Sequence, residues 1–94
     1  MKAEEILKSK YICFRSSVFP SKYWRPNAAG YTDDLLEAGV YTLELVENYA
    51  LKIFTYDEVV KGLHKKYTHY AMTLYDVIKL AKKRCFKWWK QANL

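Results

Sequence analysis

The run Tyr11-Ile12-Cys13-Phe14 is apolar at every position and rich in aromatic residues, and its length is typical of a buried strand. It is predicted to be the first strand of a small sheet. Pro20 and Pro26 bracket a short stretch around Tyr23-Trp24, which predicts a brief edge strand because proline cannot donate to a strand ladder. After a turn that ends at Gly30, Tyr31-Thr32 predicts a third short strand.

Helices are predicted downstream of these strands. Thr42 is a good N-cap for a helix over residues 43–52. Residues 55–58 (Thr-Tyr-Asp-Glu) have the capping-box pattern, and apolar residues recur at helical spacing up to Tyr67, which predicts a core-facing helix. Residues 68–72 are predicted to be a connector, after which Thr73 begins a long, basic and amphipathic last helix.

The fold class predicted from these elements is α+β, with about three short antiparallel strands packed by about three helices. A chain of 94 residues is expected to form a single domain over residues 1–94. Its 51% of hydrophobic residues is well above what a disordered chain carries. No apolar run approaches the ~18–20 residues of a membrane span, and no secretory signal is recognised, so a cytoplasmic location is expected. Cys13 and Cys85 are expected to be free thiols.

The formal net charge of +6 is unevenly distributed along the chain. Basic and acidic groups balance over residues 1–54, so the whole excess lies in residues 55–94. Residues 26–51 contain no Lys or Arg but carry five carboxylates, which belong to Asp33, Asp34, Glu37, Glu44 and Glu47. This pattern predicts an acidic patch beside a basic one, the alternative being that the charges only solvate helix faces.

A second informative stretch is Tyr23-Trp24-Arg25-Pro26-Asn27-Ala28-Ala29-Gly30-Tyr31-Thr32, which continues into Ala38-Gly39 and Tyr41. Over residues 23–42 the chain resembles small uncharacterised proteins encoded by phages and prophages, which share a Trp-Arg-Pro-Asn, Gly-Tyr-Thr and Ala-Gly-x-Tyr pattern. The resemblance implies an origin in a mobile element and brings no activity, cofactor or catalytic residue with it. Because small phage proteins often block host defence, it implies a non-enzymatic inhibitor of a host factor, such as an anti-CRISPR protein.

The residues Trp24, Arg25, Asn27 and Tyr31 of this motif are candidate partner-binding residues. On one interpretation the large rings fill a small core and the glycines set turns. On the other, the motif projects from a rigid turn as a contact surface, with Trp24 as an anchor and Arg25 supplying planar hydrogen bonding.

A basic face is predicted on the last helix and the helix before it. Its lysines are Lys61, Lys65, Lys79, Lys83, Lys87 and Lys90. Such a face suits a phosphate backbone or an acidic protein surface. It supports the alternative function, a nucleic-acid-binding accessory protein without sequence specificity, because Arg and Asn, the usual base readers, are nearly absent from the last helix.

Patterns typical of catalysis or cofactor binding are not found in the sequence. The three glycines are too widely spaced for a phosphate loop. His64 and His69 are too far apart to share one helix face, so no metal or cofactor is expected. The acidic residues at 33, 34 and 37 suit helix starts and have no nucleophile and base beside them. The expected partner is a host protein or ribonucleoprotein complex, with nucleic acid as the alternative and with no membrane or small-molecule substrate.

Overall fold

The computed structural model describes residues 2–15 and 22–92, with side chains up to residue 83. The described strands are β1 (Tyr11–Arg15), β2 (Lys22–Trp24), β3 (Tyr31–Thr32), β4 (Lys52–Ile53) and β5 (His69–Thr73). The described α-helices are α1 (Ala3–Lys8), α2 (Leu43–Asn48), α3 (Tyr56–Val60) and α4 (Leu74–Ala92). Short 3-10 helices cover Pro26–Ala28, Leu35–Glu37 and Leu63–Lys66.

All five strands belong to one sheet, in the order β3-β2-β1-β5-β4. The central strand β1 is antiparallel to both β2 and β5, whereas β4 lies parallel to β5. The predicted α+β class is confirmed. The prediction of about three antiparallel strands is wrong, because the described part of the chain has two further strands and the sheet is mixed.

The predicted connector at residues 68–72 is the second long strand of the sheet. Tyr70, Ala71 and Met72 of β5 are all buried, because both faces of the sheet are covered. A strand buried on both faces reads as a continuous apolar run without alternation, and so it lacks the period that identifies an exposed strand.

The strand β4 lies where the sequence predicted the end of a helix. The helix α2 ends at Asn48, and a left-handed residue, Ala50, turns the chain back toward the sheet. Lys52–Ile53 then pairs with β5. The helix predicted up to Tyr67 also ends early, because Gly62 adopts a φ of +81° that L side chains rarely take.

The predicted helix starts are confirmed by hydrogen bonds. The Thr42 side chain accepts from the Leu45 backbone N–H at 3.3 Å. Thr55 and Glu58 form a reciprocal capping box, and the Thr55 N–H holds the pKa of the Glu58 carboxyl below its ordinary value. The Asp76 N–H donates to Thr73 Oγ1 at 3.2 Å, where α4 begins.

Side chains on the two faces of the sheet form separate cores. On the α4 face, Ile12 and Phe14 of β1 pack with side chains of α3 and α4, Val59 and Val77. On the α2 face, the buried set is Tyr11, Cys13, Tyr41, Val46 and Ala71. The strand β1 is therefore buried on both sides up to Phe14, and only its last residue, Arg15, reaches solvent.

The last helix is described as backbone over Leu74–Ala92 and with side chains only to Lys83. Leu74, Val77 and Leu80 pack against the α4-face core. The side chains of Cys85, Lys87 and Lys90 lie outside the described residues, so the basic and amphipathic character of the second half stays a prediction. None of the described helices has the length and apolar character that a membrane span requires.

The Cys13 thiol is free and buried at the centre of the sheet. Burial raises the pKa of this thiol from 9.0 to about 12, because the charged thiolate is disfavoured away from water. The stability that Cys13 contributes is therefore complete below pH 9 and is lost as the pH rises toward 12.

We expect Cys13 to resist thiol reagents in the folded protein, because the reactive species is the thiolate. In a Cys85→Ser chain, labelling at pH 8 followed by mass spectrometry should find little modification until denaturant is added. Rapid labelling of the folded chain would contradict the burial of this thiol.

Candidate functional site

Four aromatic rings meet on the α2 face, beside the part that α2 covers. They belong to Trp24, Tyr31 and His69 on three different strands and to Tyr49, the residue that ends α2. The Trp24 ring meets Tyr49 and His69 edge-on, with centroids 5.3 Å and 5.6 Å apart. We call these four residues, together with Arg15, the aromatic surface.

The register of the sheet brings the members of the aromatic surface together. Trp24 pairs with Tyr31 across β2 and β3, and Arg15 pairs with His69 across β1 and β5. The Tyr31 and His69 rings are near-parallel, with centroids 6.4 Å apart and the Tyr31 hydroxyl 3.4 Å from His69 Nε2. The Arg15 guanidinium lies 5.0 Å from the Tyr31 centroid, a cation–π distance.

The aromatic surface is partly open to solvent. Tyr31 is 40% exposed and Tyr49 is 44% exposed, while Trp24 and His69 are half-buried. The Trp24 Nε1 atom is buried and has no hydrogen-bond acceptor among the described residues. An open cavity of about 110 Å³ lies beside Trp24 and Tyr31, and Ala28 and Gly30 of the turn line it as well.

The turn that follows Trp24 is held by hydrogen bonds to the side chain of the buried Tyr41. The Tyr41 hydroxyl donates to the Arg25 carbonyl and accepts from the Ala28 N–H at 2.9 Å. Burial raises the pKa of Tyr41, so the hydroxyl keeps the proton that it donates. The Gly39 N–H donates to the Trp24 carbonyl at 2.8 Å and ties the next loop to the same strand.

The structure brings together two of the predicted motif residues, Trp24 and Tyr31, and places the other two elsewhere. Arg25 braces the turn: its Nε donates to the Tyr31 carbonyl at 3.1 Å, and its Nη1 lies 3.5 Å from Glu37. Asn27 is exposed at the tip of the turn with a φ of +58°. Tyr41 is buried in the core, as the first interpretation expects, while Tyr31 is exposed and its role as a contact residue stays a prediction.

Sequence reasoning missed Arg15, Tyr49 and His69. Arg15 was recognisable in principle as the charged end of an apolar strand, on the same face as Tyr11 and Cys13. His69 lies in β5, which the sequence predicts to be a connector, and Tyr49 follows the last residue of α2, so neither carries a local signal.

The predicted basic face is partly assembled around Tyr56 of α3. The Nζ atoms of Lys79 and Lys83 lie 4.7 Å and 5.7 Å from the Tyr56 centroid. Lys65 instead folds along Gly62, where an added Cβ would meet its Cε at 3.3 Å. Lys61 is exposed at the end of α3, and the side chains of Lys87 and Lys90 lie outside the described part of the chain.

A cavity of about 360 Å³ beside Tyr56 is of mixed charge. Lys8 and Lys79 line it together with Asp57 and Asp76. The Asp76 Oδ2 accepts from the Tyr56 N–H at 3.2 Å, and Lys8 pairs with Glu4 at 3.1 Å. The cavity therefore lacks the excess of positive charge that an anion site would use.

Within residues 2–15 and 22–83, no group of three or more His, Cys, Asp and Glu side chains is placed to hold a metal ion. Comparison with protein-family models, curated proteins and solved structures finds no match to this chain.

We expect the turn that follows Trp24 to need a glycine at position 39, because Gly39 packs closely against Pro26. An alanine Cβ there would lie 2.7 Å and 2.8 Å from the Pro26 Cα and N atoms, so Gly39→Ala should lower the free energy of unfolding by about 1–3 kcal/mol. Denaturant unfolding followed by tryptophan fluorescence measures the change.

Ala28→Gly is the matched variant in the same turn. Ala28 has a φ of +54°, which glycine adopts without strain, so this variant should be at least as stable as the natural chain. A loss of stability for Ala28→Gly, or no loss for Gly39→Ala, would contradict this account of the turn.

Proposed function

We propose that the chain is a non-enzymatic protein of phage or mobile-element origin that binds a host protein or ribonucleoprotein complex and inhibits it, as an anti-CRISPR protein does. The aromatic surface is the observation that carries this proposal. Trp, Tyr and Arg are the residue types that dominate the energetics of protein interfaces, and this surface groups all three.

The rigidity of the surface supports the same proposal. Trp24, Tyr31 and His69 lie on paired strands, and the turn after Trp24 is held by Tyr41. Because few rotatable bonds remain to be ordered when a partner docks, the entropic cost of binding is low. Such binding inhibits a host factor when it covers a surface that the factor uses for its own activity.

Truncating the exposed rings should weaken binding to the partner without unfolding the chain. A host protein or ribonucleoprotein complex captured from DNase-treated lysate is purified, and its affinity for each variant is measured by calorimetry. We expect Tyr31→Ala and Tyr49→Ala each to cost over ~2 kcal/mol, because central aromatic residues dominate such interfaces.

Tyr67→Ala is the matched control, because Tyr67 is 42% exposed and lies outside the aromatic surface. It should leave the affinity within about twofold of the natural chain. Equal losses in all three variants, or loss of capture on DNase treatment alone, would count against a protein or ribonucleoprotein partner at this surface.

Nucleic-acid binding is the second candidate function, favoured by Lys79 and Lys83. Both ammonium groups lie beside one ring, so two positive charges occupy neighbouring positions along α4. Lysine is a compact point charge that suits phosphates rather than base edges.

If this second function is correct, affinity for random duplex DNA should fall steeply with salt. Each of Lys79→Ala and Lys83→Ala should reduce the log–log salt slope by about one, since each lysine contacts about one phosphate. Lys2→Ala, an exposed lysine near α1, is the control. Fluorescence anisotropy over a salt series measures the slopes, and an unchanged slope in both variants would exclude these lysines from a phosphate interface.

A further inference from the structure

The helix α2 extends the aromatic surface along the same face of the sheet. The side chain of Val46 in α2 is buried against Tyr11 and Cys13 of β1, and this contact fixes the helix on this face of the sheet. Tyr49 at its end touches Trp24. A partner that docks on the four rings therefore meets the outer side of α2 as well.

The exposed residues of α2 are both apolar and acidic. Leu43 and Leu45 are 44% and 40% exposed, and Glu44 and Glu47 are exposed beside them. Glu44 and Glu47 are three residues apart, a spacing that places two side chains on one side of a helix.

The carboxylates of α2 differ in their pairing from the other carboxylates of residues 26–51. Elsewhere in the acidic segment, Asp33 pairs with Lys22 at 3.7 Å and Glu37 pairs with Arg25 at 3.5 Å. Among the described side chains, no ion pair involves Glu44 or Glu47. The carboxylates next to the aromatic surface are thus the ones left to attract positive charge from a partner.

From these observations we propose that the partner of the aromatic surface is a protein segment that presents Lys or Arg side chains around an apolar one. Glu44 and Glu47 meet its cations, and the cavity beside Trp24 and Tyr31 receives its apolar side chain. The cavity has a volume of about 110 Å³, and its lining by Trp24, Ala28, Gly30 and Tyr31 is mostly apolar, which suits an apolar side chain. This inference rests on the proposed function and names the chemistry of the partner.

The same charges oppose a nucleic acid at this surface. A strand stacking its bases on the four rings would bring phosphates toward Glu44 and Glu47, and like charges repel. Single-strand binding surfaces combine aromatic platforms with positively charged grooves. Here the only cation in the aromatic surface, Arg15, already lies over Tyr31.

The test uses two synthetic peptides and the full chain labelled with ¹⁵N. One peptide alternates Arg and Leu, and its twin carries Glu in place of Arg. We expect the Arg peptide to shift the amide signals of Trp24, Tyr31, Tyr49 and α2, with an affinity that falls as salt is added, and the Glu twin to shift none of them.

The decisive variant is Glu44→Gln/Glu47→Gln, which should weaken binding of the Arg peptide by about tenfold. Glu4→Gln/Glu5→Gln, which removes two exposed carboxylates from α1, is the matched control and should leave the affinity unchanged. Equal losses in both variants, binding of the Glu twin at α2, or shifts confined to other parts of the chain would overturn the inference.

Further outcomes separate this inference from the function on which it rests. If Tyr31→Ala loses the captured host protein while Glu44→Gln/Glu47→Gln keeps it at full affinity, the proposed function stands and the cationic partner is wrong. If random single-stranded DNA shifts the ring residues more strongly than the Arg peptide, both are wrong. Self-association of the free chain through α2 in sedimentation would assign the surface to a second copy and overturn the inference.

Discussion

The antiparallel pairing of β1 with β5 is the interaction on which the rest of the structure depends. It joins Tyr11–Arg15 to His69–Thr73 along the full length of both strands. On one face it stacks Phe14 on Tyr70, with near-parallel rings 4.8 Å apart, and α3 and α4 pack over this pair. On the other face it places Cys13 against Ala71 beneath α2, and it sets Arg15 beside His69 where the aromatic surface begins.

How far the sequence predicts this structure depends on whether a signal is local. The caps at Thr42, Thr55 and Thr73 are predicted correctly because each is a contact between residues three apart. The strand β5 is not, because burial on both faces removes the alternation that marks a strand. Within the candidate site, Trp24 is found from its motif, whereas His69 joins it only through pairing between distant segments.

The charge asymmetry of the sequence has a counterpart in the folded structure. Lys22 and Arg25, which precede the acidic segment, neutralise part of it by ion pairs around the β2–β3 turn. What remains is concentrated on α2, next to exposed rings and leucines. On the opposite face of the sheet, Lys79 and Lys83 lie over Tyr56 of α3. Glu44 and Glu47 therefore lie on the opposite face of the sheet from Lys79 and Lys83, and a partner that binds one pair need not contact the other.

The distance along the chain between β1 and β5 also governs how the protein is made. Residues 11–15 leave the ribosome long before residues 69–73, and the central pairing cannot form until both are available. Non-local strand pairing carries a loop-closure cost and slows folding relative to helical bundles. During synthesis the apolar β1 therefore stays unpaired with β5 until residues 69–73 have been made. In that interval its exposed apolar side chains make the nascent chain prone to aggregation or to capture by chaperones.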